Sequence, residues 1–141
     1  SLRESGGLVL GATLSLERRP RADVVEAMRW LLAERQTTQP TAERNAGSIF
    51  RNPPGEVAGQ LIESAGCKGL TVGGARVSDL HANFIVHEGA ASADDVATLM
   101  AEVQRRVFAE TEIHLFPEIE WWGTGDPPEA FGPSAVAASS T

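Results

Sequence analysis

The sequence Leu70-Thr71-Val72-Gly73-Gly74-Ala75-Arg76-Val77, together with Phe84-Ile85-Val86 a few residues later, decides the fold of this chain. Short runs rich in β-branched and apolar residues are typical of strands, and a glycine pair between two such runs predicts a tight turn. Strands joined by a tight turn run antiparallel. These residues therefore predict a small, mostly antiparallel sheet.

Helices are predicted before and after these strands. Upstream, the helix breaker Pro53-Pro54-Gly55 is followed by apolar residues at helical spacing, and Gly66 ends that helix. Downstream, Ser92 caps a helix with acidic residues in its first turn and one apolar face. Ile113 to Trp122 predicts a last strand, which Pro117 interrupts. This order predicts an α+β fold, a small mostly antiparallel sheet with helices packed on one side.

The two ends of the chain differ from this central part. Gly7 to Leu16 alternates as a strand does, and Ala22 to Gln36 has the spacing of an amphipathic helix. Thr37 to Asn45 is polar and contains a proline, so we expect a linker there. The segment after Gly123 is rich in Gly, Pro, Ala and Ser, and we expect it to be disordered. Because a strand pattern follows Ser1 almost at once, without Met, and residues 1–6 cannot supply its neighbours, we expect a truncated chain, with a processed or engineered start as the alternative.

Composition argues against several classes of protein. With 141 residues, 42% hydrophobic and 22% charged, the chain should fold as a globular domain. Its net charge of −7 opposes nonspecific binding to nucleic acid or anionic membranes. No apolar run approaches the roughly 20 residues of a membrane helix, and the N-terminal residues lack the order of a signal peptide. We therefore expect a cytoplasmic protein that binds neither nucleic acid nor membrane.

No metal site is predicted. The lone Cys67 cannot form an intrachain disulfide and has no Cys partner for a metal ion. His87 and His114 lack convincing partners as well. We expect the Cys67 thiol to be buried or idle.

The strongest candidate for a binding site is the segment from Asn45 to Gly55. Gly47 allows a ligand to approach the backbone, Ser48 supplies a hydroxyl, and Arg51 and Asn52 supply a charge and an amide. Together these groups are typical of a site for an anionic, polyhydroxylated ligand. A capped loop that leads into a helix is the alternative, and the residues alone favour it slightly.

Within this segment, Gly47-Ser48-Ile49-Phe50-Arg51-Asn52-Pro53 resembles the signature of the UDP-N-acetylenolpyruvoylglucosamine reductases, the MurB family. Three further stretches are similar to the family in the same order, and matches that are collinear over about residues 7–123 are more specific than one motif. They are Leu61 to Gly69, Gly73 to Ser78 with His81 to Val86, and Leu115 to Ile119.

The resemblance implies roles for four residues. In that family a reduced flavin delivers hydride to the enolpyruvyl double bond and a protein acid protonates the adjacent carbon. Ser48 matches the proton donor, and Glu118 matches the glutamate that stabilises charge developing on the substrate enolate and carboxylate. Asn52 matches a residue that binds the nucleotide diphosphate, and His81 a position that contacts substrate in some members. Arg51 is our own candidate for stabilising the Ser48 alkoxide and for binding substrate.

Two of these assignments carry a structural expectation. A carboxyl that stabilises developing negative charge must keep or share a proton, so we expect Glu118 to be buried. For His81 a structural role in the core is the competing hypothesis, since a histidine beside an apolar run is commonly structural.

The resemblance also implies how the chain is divided. Residues 1–36 match the end of an FAD-binding domain, residues 37–123 a substrate-binding domain, and residues 124–141 form the tail. The intact enzyme uses FAD and NADPH to reduce UDP-N-acetylglucosamine enolpyruvate to UDP-N-acetylmuramate for peptidoglycan synthesis and cell-wall biogenesis. We expect a monomer, and expect the fragment to be inactive by itself. The alternative is a noncatalytic UDP-sugar-binding or interaction module that lacks the flavin domain.

Overall fold

The computed structural model describes residues 8–124 and 126–132, which divide into two compact units with the boundary between Leu31 and Leu32. In the first unit, residues 8–20 are exposed and form no regular element. The strand predicted from Gly7 to Leu16 is therefore wrong for residues 8–16, and Gly7 lies outside the described residues. A strand needs a paired neighbour, and the sheet that the structure describes contains none for this segment.

Helix α1 spans Arg21–Thr38 and confirms the helix predicted over residues 22–36. None of its residues is buried, and Val24, Val25, Met28, Leu31 and Leu32 of the predicted apolar face are exposed. The helical spacing of apolar residues thus predicted the helix correctly, but its apolar face is exposed among the described residues.

The sheet has four antiparallel strands in the order β1-β4-β3-β2. They are β1 Arg44–Ser48, β2 Thr71–Val72, β3 Ala75–Val77 and β4 Phe84–His87. The three predicted strands are confirmed. Strand β1 was not predicted, because its residues are almost all exposed and show no apolar alternation. Part of the expected linker is thus an edge strand.

Two helices complete the core, α2 over Ala58–Ser64 and α3 over Ala93–Thr111. Ser92 and Asp95 form the capping box of α3, in which each side chain accepts the other residue's backbone N–H. Helix α3 contacts α2, β2 and β3, and its buried residues are Ala97, Leu99, Met100, Val103 and Val107. The predicted α+β fold with helices against a small antiparallel sheet is confirmed.

Cys67 lies in this core and is fully buried. Burial raises the pKa of its thiol, with smaller effects from Arg106 and Glu102. The expectation of a buried thiol is confirmed.

The C-terminal part differs from prediction in two ways. No strand forms between Ile113 and Trp122, where the structure shows an isolated bridge from Pro117 to Phe50. Glu129–Phe131 form a 3-10 helix that contacts α3 and buries Ala130, so the expected disorder does not hold for residues 126–132. Thr124 is exposed and belongs to no helix or strand, and the remaining tail residues, 125 and 133–141, lie outside the described residues. The domain boundaries at 36 and 123 remain predictions.

No helix among the described residues is long and apolar enough to cross a membrane.

Candidate functional site

Ser48 is the last residue of β1, and its side chain is exposed. In the pairing of β1 with β4 the register shifts between Asn45 and Ser48, as in a β-bulge. Gly47 has φ +83°, and Asn45 Oδ1 accepts its N–H at 2.9 Å. Bulges of this kind re-aim side chains next to active sites. The strand therefore ends by presenting the Ser48 hydroxyl on the surface.

Beyond Ser48 the chain pairs with the segment around Pro117. Glu118 N–H donates to Ile49 O at 2.7 Å, and Arg51 N–H donates to Phe116 O at 2.9 Å. These two hydrogen bonds flank the Phe50–Pro117 bridge. Glu118 is consequently fixed beside the residue that follows Ser48, although the two lie far apart in sequence.

The same pairing brings the side chains of Arg51 and Glu118 together. Arg51 Nε lies 3.3 Å from Glu118 Oε2, and the two side chains are 53% and 44% exposed. The expectation that Glu118 is buried is therefore wrong for this chain. Its carboxyl group is paired with a guanidinium and partly exposed rather than desolvated.

Arg51 was expected to stabilise Ser48. Among the described residues its charged group pairs with Glu118, and no hydrogen bond joins it to the Ser48 hydroxyl. Stabilisation of the Ser48 alkoxide by Arg51 therefore stays a prediction.

Asn52 has a structural function in the described chain. Its Oδ1 accepts the N–H of Ala58, the first residue of α2, at 3.0 Å. This hydrogen bond satisfies a donor at the start of the helix, as capping side chains do. The amide NH₂ is the group that remains for a ligand, and binding of a diphosphate by Asn52 stays a prediction.

His81 is held inside its own turn. Its Nδ1 accepts the N–H of Asn83 at 3.2 Å, and its ring meets Phe84 edge-on at a centroid distance of 4.8 Å. Gly59 lies against the ring as well, since a Cβ there would approach His81 Cε1 to 3.2 Å. These contacts favour the structural hypothesis for His81, and its contact with substrate stays a prediction.

A cavity of about 590 Å³ opens beside Ser48. Gly47, Ser48 and Phe84 line it from the sheet, and Arg35, Gln36 and Gln39 line it from the end of α1 and the residue after it. Arg35 Nε donates to Gln39 Oε1 at 3.1 Å. The lining from this segment thus offers a cation and two amides, which the sequence analysis did not select because no motif marks them.

The described residues offer no recognisable site for the cofactors that the resemblance implies. Gly73-Gly74 is the glycine pair within the described residues, and Asp95 Oδ2 accepts the Gly74 N–H at 3.3 Å. A carboxylate in that position repels a pyrophosphate, so the turn does not fit a dinucleotide. No cluster of three or more His, Cys, Asp or Glu side chains suited to a metal ion occurs in the described ranges.

Sequence reasoning also passed over Asn83, which is 5% exposed and makes two side-chain hydrogen bonds to the backbone of Phe50. A signal was present, because an asparagine between apolar core residues must find hydrogen-bond partners. The sequence alone does not tell which backbone groups those partners are.

Comparison with known proteins gives a family match over residues 39–122, to the model described as UDP-N-acetylenolpyruvoylglucosamine reductase, C-terminal domain. Among relatives, UDP-N-acetylenolpyruvoylglucosamine reductase 2 of Symbiobacterium thermophilum is 46% identical over 122 residues, 86% of this chain and 40% of the relative. The reductase of Methylococcus capsulatus is 53% identical over 94 residues, 67% of this chain and 31% of that protein.

Among solved structures, the UDP-N-acetylenolpyruvylglucosamine reductase (MurB) from Thermus caldophilus matches with a TM-score of 0.62 and 41% identity. The match covers 77% of this chain and 38% of that one. A Bacillus licheniformis reductase, 44% identical over 83% of this chain, is covered to 64%. The chain thus spans less than two thirds of the length of each of these relatives.

Proposed function

The chain belongs to the UDP-N-acetylenolpyruvoylglucosamine reductase family through its C-terminal domain, and from this we propose that it forms the substrate-binding part of such a reductase. The complete protein reduces UDP-N-acetylglucosamine enolpyruvate to UDP-N-acetylmuramate, a precursor of peptidoglycan. The observation that supports the proposal is the pairing of residues 49–51 with residues 116–118, in which Glu118 N–H bonds to Ile49, the neighbour of Ser48, and the Glu118 side chain pairs with Arg51.

Ser48 supplies the proton. Its O–H bond breaks as a C–H bond forms on the substrate carbon next to the one that accepts hydride, so the double bond becomes a single bond. Proton donation by a positioned group typically contributes about 10²–10⁴-fold to the rate. The exposure of Ser48 and its position in the lining of a cavity support this role, because the hydroxyl is open to a ligand in that cavity.

Glu118 and Arg51 act as a pair on the acidic end of the substrate. The guanidinium offsets the charge of Glu118, which lets a substrate carboxylate approach the Glu118 carboxyl group. The guanidinium then stabilises the negative charge that develops as hydride adds, and the Glu118 carboxyl group does so by sharing a proton with the substrate carboxylate. Asn52 donates from its NH₂ group to the diphosphate, while the role of His81 as a substrate contact has less support.

FAD and NADPH supply hydride in the complete enzyme and are held by parts other than the described residues. This chain carries the proton-donating side of the reaction, so we expect it to bind substrate without turnover. Its assignment to the cytoplasm and its monomeric state also remain predictions.

The proposal is tested in the complete protein that contains this chain, with Ser48→Ala compared with Ser64→Ala. Ser64 is an exposed serine of α2 whose hydroxyl bonds to Leu61 O, so it controls for loss of a hydroxyl elsewhere. We expect Ser48→Ala to lower kcat by about 10²–10⁴-fold with little change in substrate affinity, and Ser64→Ala to leave both unchanged.

Calorimetry with UDP-N-acetylglucosamine enolpyruvate tests whether the protein binds substrate, and an assay of turnover then separates the proposal from the noncatalytic alternative. A complete wild-type protein that binds the substrate but never reduces it would support a UDP-sugar-binding module. Normal turnover of Ser48→Ala would remove Ser48 from the role of proton donor.

A further inference from the structure

The side chain of Asn83 forms two hydrogen bonds to one residue of the candidate site. Asn83 Nδ2 donates to Phe50 O at 2.8 Å, and Phe50 N–H donates to Asn83 Oδ1 at 3.0 Å. We infer that Asn83 is a positioning residue, which holds the segment from Ser48 to Arg51 in the geometry that the reaction needs. The inference rests on the proposed function and deepens it.

Asn83 takes the place of a neighbouring strand. It directly precedes β4, and its backbone O also accepts the Ile49 N–H at 3.0 Å. A side-chain amide that pairs with both the N–H and the C=O of one residue reproduces what a peptide group does across a sheet. The regular pairing of β1 with β4 ends at Ser48, so Asn83 continues it for two more residues.

The opposite edge of the same segment holds the chain around Pro117. Ile49 O and Arg51 N–H bond to Glu118 and Phe116, while both backbone groups of Phe50 face Asn83. Residues 49–51 therefore lie between Asn83 and the segment that carries Glu118. If Asn83 releases Phe50, the positions of Ser48, Arg51 and Glu118 all change relative to one another.

The contact is buried, which makes it costly to lose. Asn83 is 5% exposed and Phe50 is 2% exposed, so water does not readily replace the amide. A shift of about 1 Å in a catalytic group can lower a rate by about 10²-fold even when the change is made elsewhere. Asn83 itself is oriented from its other side by His81, whose Nδ1 accepts the Asn83 N–H.

Hydrogen exchange on this 141-residue chain tests the contact itself. We expect Asn83→Ala to speed exchange of the Phe50 amide by about tenfold or more relative to amides of α3. Asn83→Asp, which keeps an acceptor for Phe50 N–H but cannot donate to Phe50 O when ionised, should have an intermediate effect. It also serves if the alanine variant does not fold. If the Phe50 amide exchanges as slowly in both variants as it does in the wild type, the inference is overturned.

Kinetics of the complete protein test the consequence. We expect Asn83→Ala to lower kcat for substrate reduction by about 10–100-fold. Its KM, and its rate of NADPH oxidation with an artificial electron acceptor, should stay within about twofold of the wild-type values. Val103→Ala is the matched control, because Val103 is 1% exposed in α3 and takes no part in these hydrogen bonds. It should destabilise the fold yet keep kcat.

Each outcome decides between the two proposals. A wild-type protein without turnover overturns the proposed function and this inference with it. An active wild type whose Asn83→Ala and Asn83→Asp variants keep kcat, or lose it only as much as Val103→Ala does, overturns the inference alone.

Discussion

Arg51 Nε lies 3.3 Å from Glu118 Oε2, and this ion pair links the two segments that build the candidate site. Both side chains are about half exposed, and ion pairs of that kind contribute little to stability. We therefore predict a coupling energy of about 0.2–1 kcal/mol in a double-mutant cycle of Arg51→Ala and Glu118→Ala. Urea denaturation of the chain measures it at low and high salt, and the coupling should weaken as salt screens the charges.

A coupling well above that range, or one that salt does not change, would show that the pair stabilises the fold. If the coupling is weak and depends on salt, as predicted, the ion pair functions through the charge that it presents to substrate. Arg51→Lys should then keep more activity in the complete protein than Arg51→Gln, because lysine retains the charge but not the geometry of the guanidinium.

Glu102 gives a prediction about pH. Hydrogen bonds from Arg105 and Arg106 lower its pKa from 4.5 to about 2, which outweighs the opposing effect of burial. A group whose pKa is lower in the folded state stabilises that state above its unfolded pKa, and the contribution disappears as pH falls through the folded pKa. The wild type should thus exceed Glu102→Gln in unfolding free energy at pH 6, with the difference shrinking between pH 4.5 and about 2.

Urea titrations of the wild type and Glu102→Gln from pH 6 downward measure this difference. The contributions of the other carboxyl groups are the same in both proteins and cancel. Arg105 Nη2 lies 2.7 Å from Glu102 Oε1 and Arg106 Nε lies 2.7 Å from the same atom. A difference that stays constant with pH would mean that these contacts do not form in solution.

Gly73 and Gly66 allow steric and backbone effects to be separated. Both have positive φ, +53° and +66°, but a Cβ on Gly66 meets open space, whereas one on Gly73 overlaps the Asp95 carboxylate. We predict that Gly66→Ala costs about 1–2 kcal/mol for the left-handed backbone, and that Gly73→Ala costs more. In an Asp95→Ala background the cost of Gly73→Ala should fall to about that of Gly66→Ala.

Thermal or urea unfolding of the four Gly73 and Asp95 combinations measures that coupling. The same carboxylate accepts N–H groups from Ser92 and Gly74, which lower the pKa of Asp95. If Gly73→Ala costs no more than Gly66→Ala, then Asp95 does not pack against the turn.

The sequence predicted those elements whose signals are local. Helix α3 has a capping serine and a periodic apolar face, and the Gly73-Gly74 turn joins two short apolar runs. Strand β1 and the segment after Ile113 could not be assigned this way, because β1 depends on β4 as a partner and residue 117 pairs with Phe50. Their structure depends on long-range pairing that periodicity does not show.

The candidate site also has a part that local sequence predicts and a part that depends on long-range contacts. Ser48, Arg51 and Asn52 lie in one motif and were identified together from the sequence. The contact between Arg51 and Glu118, and the role of Asn83 beneath them, depend on which segments meet in space. Glu118 was selected by resemblance alone, and its exposed pairing with an arginine could not be derived from its neighbours in sequence.

Gln104 explains why the C-terminal segment is ordered where disorder was expected. Its Nε2 donates to Leu115 O at 2.9 Å and to Ala130 O at 3.0 Å, so one amide of α3 fastens two separate segments. Ala130 is 1% exposed, and Phe131 packs on the core and lies 5.8 Å from Trp121 between ring centroids. The 3-10 helix is therefore part of the folded unit.

We predict that Gln104→Glu releases this segment, because a carboxylate of nearly the same shape cannot donate to either carbonyl. The loss of two hydrogen bonds should cost about 1–3 kcal/mol and expose residues 126–132 to proteolysis. Glu110→Gln, on the exposed side of the same helix, is the matched control and should leave cleavage unchanged. Cleavage of Gln104→Glu at the wild-type rate would show that Phe131 and Ala130 hold the segment by packing alone.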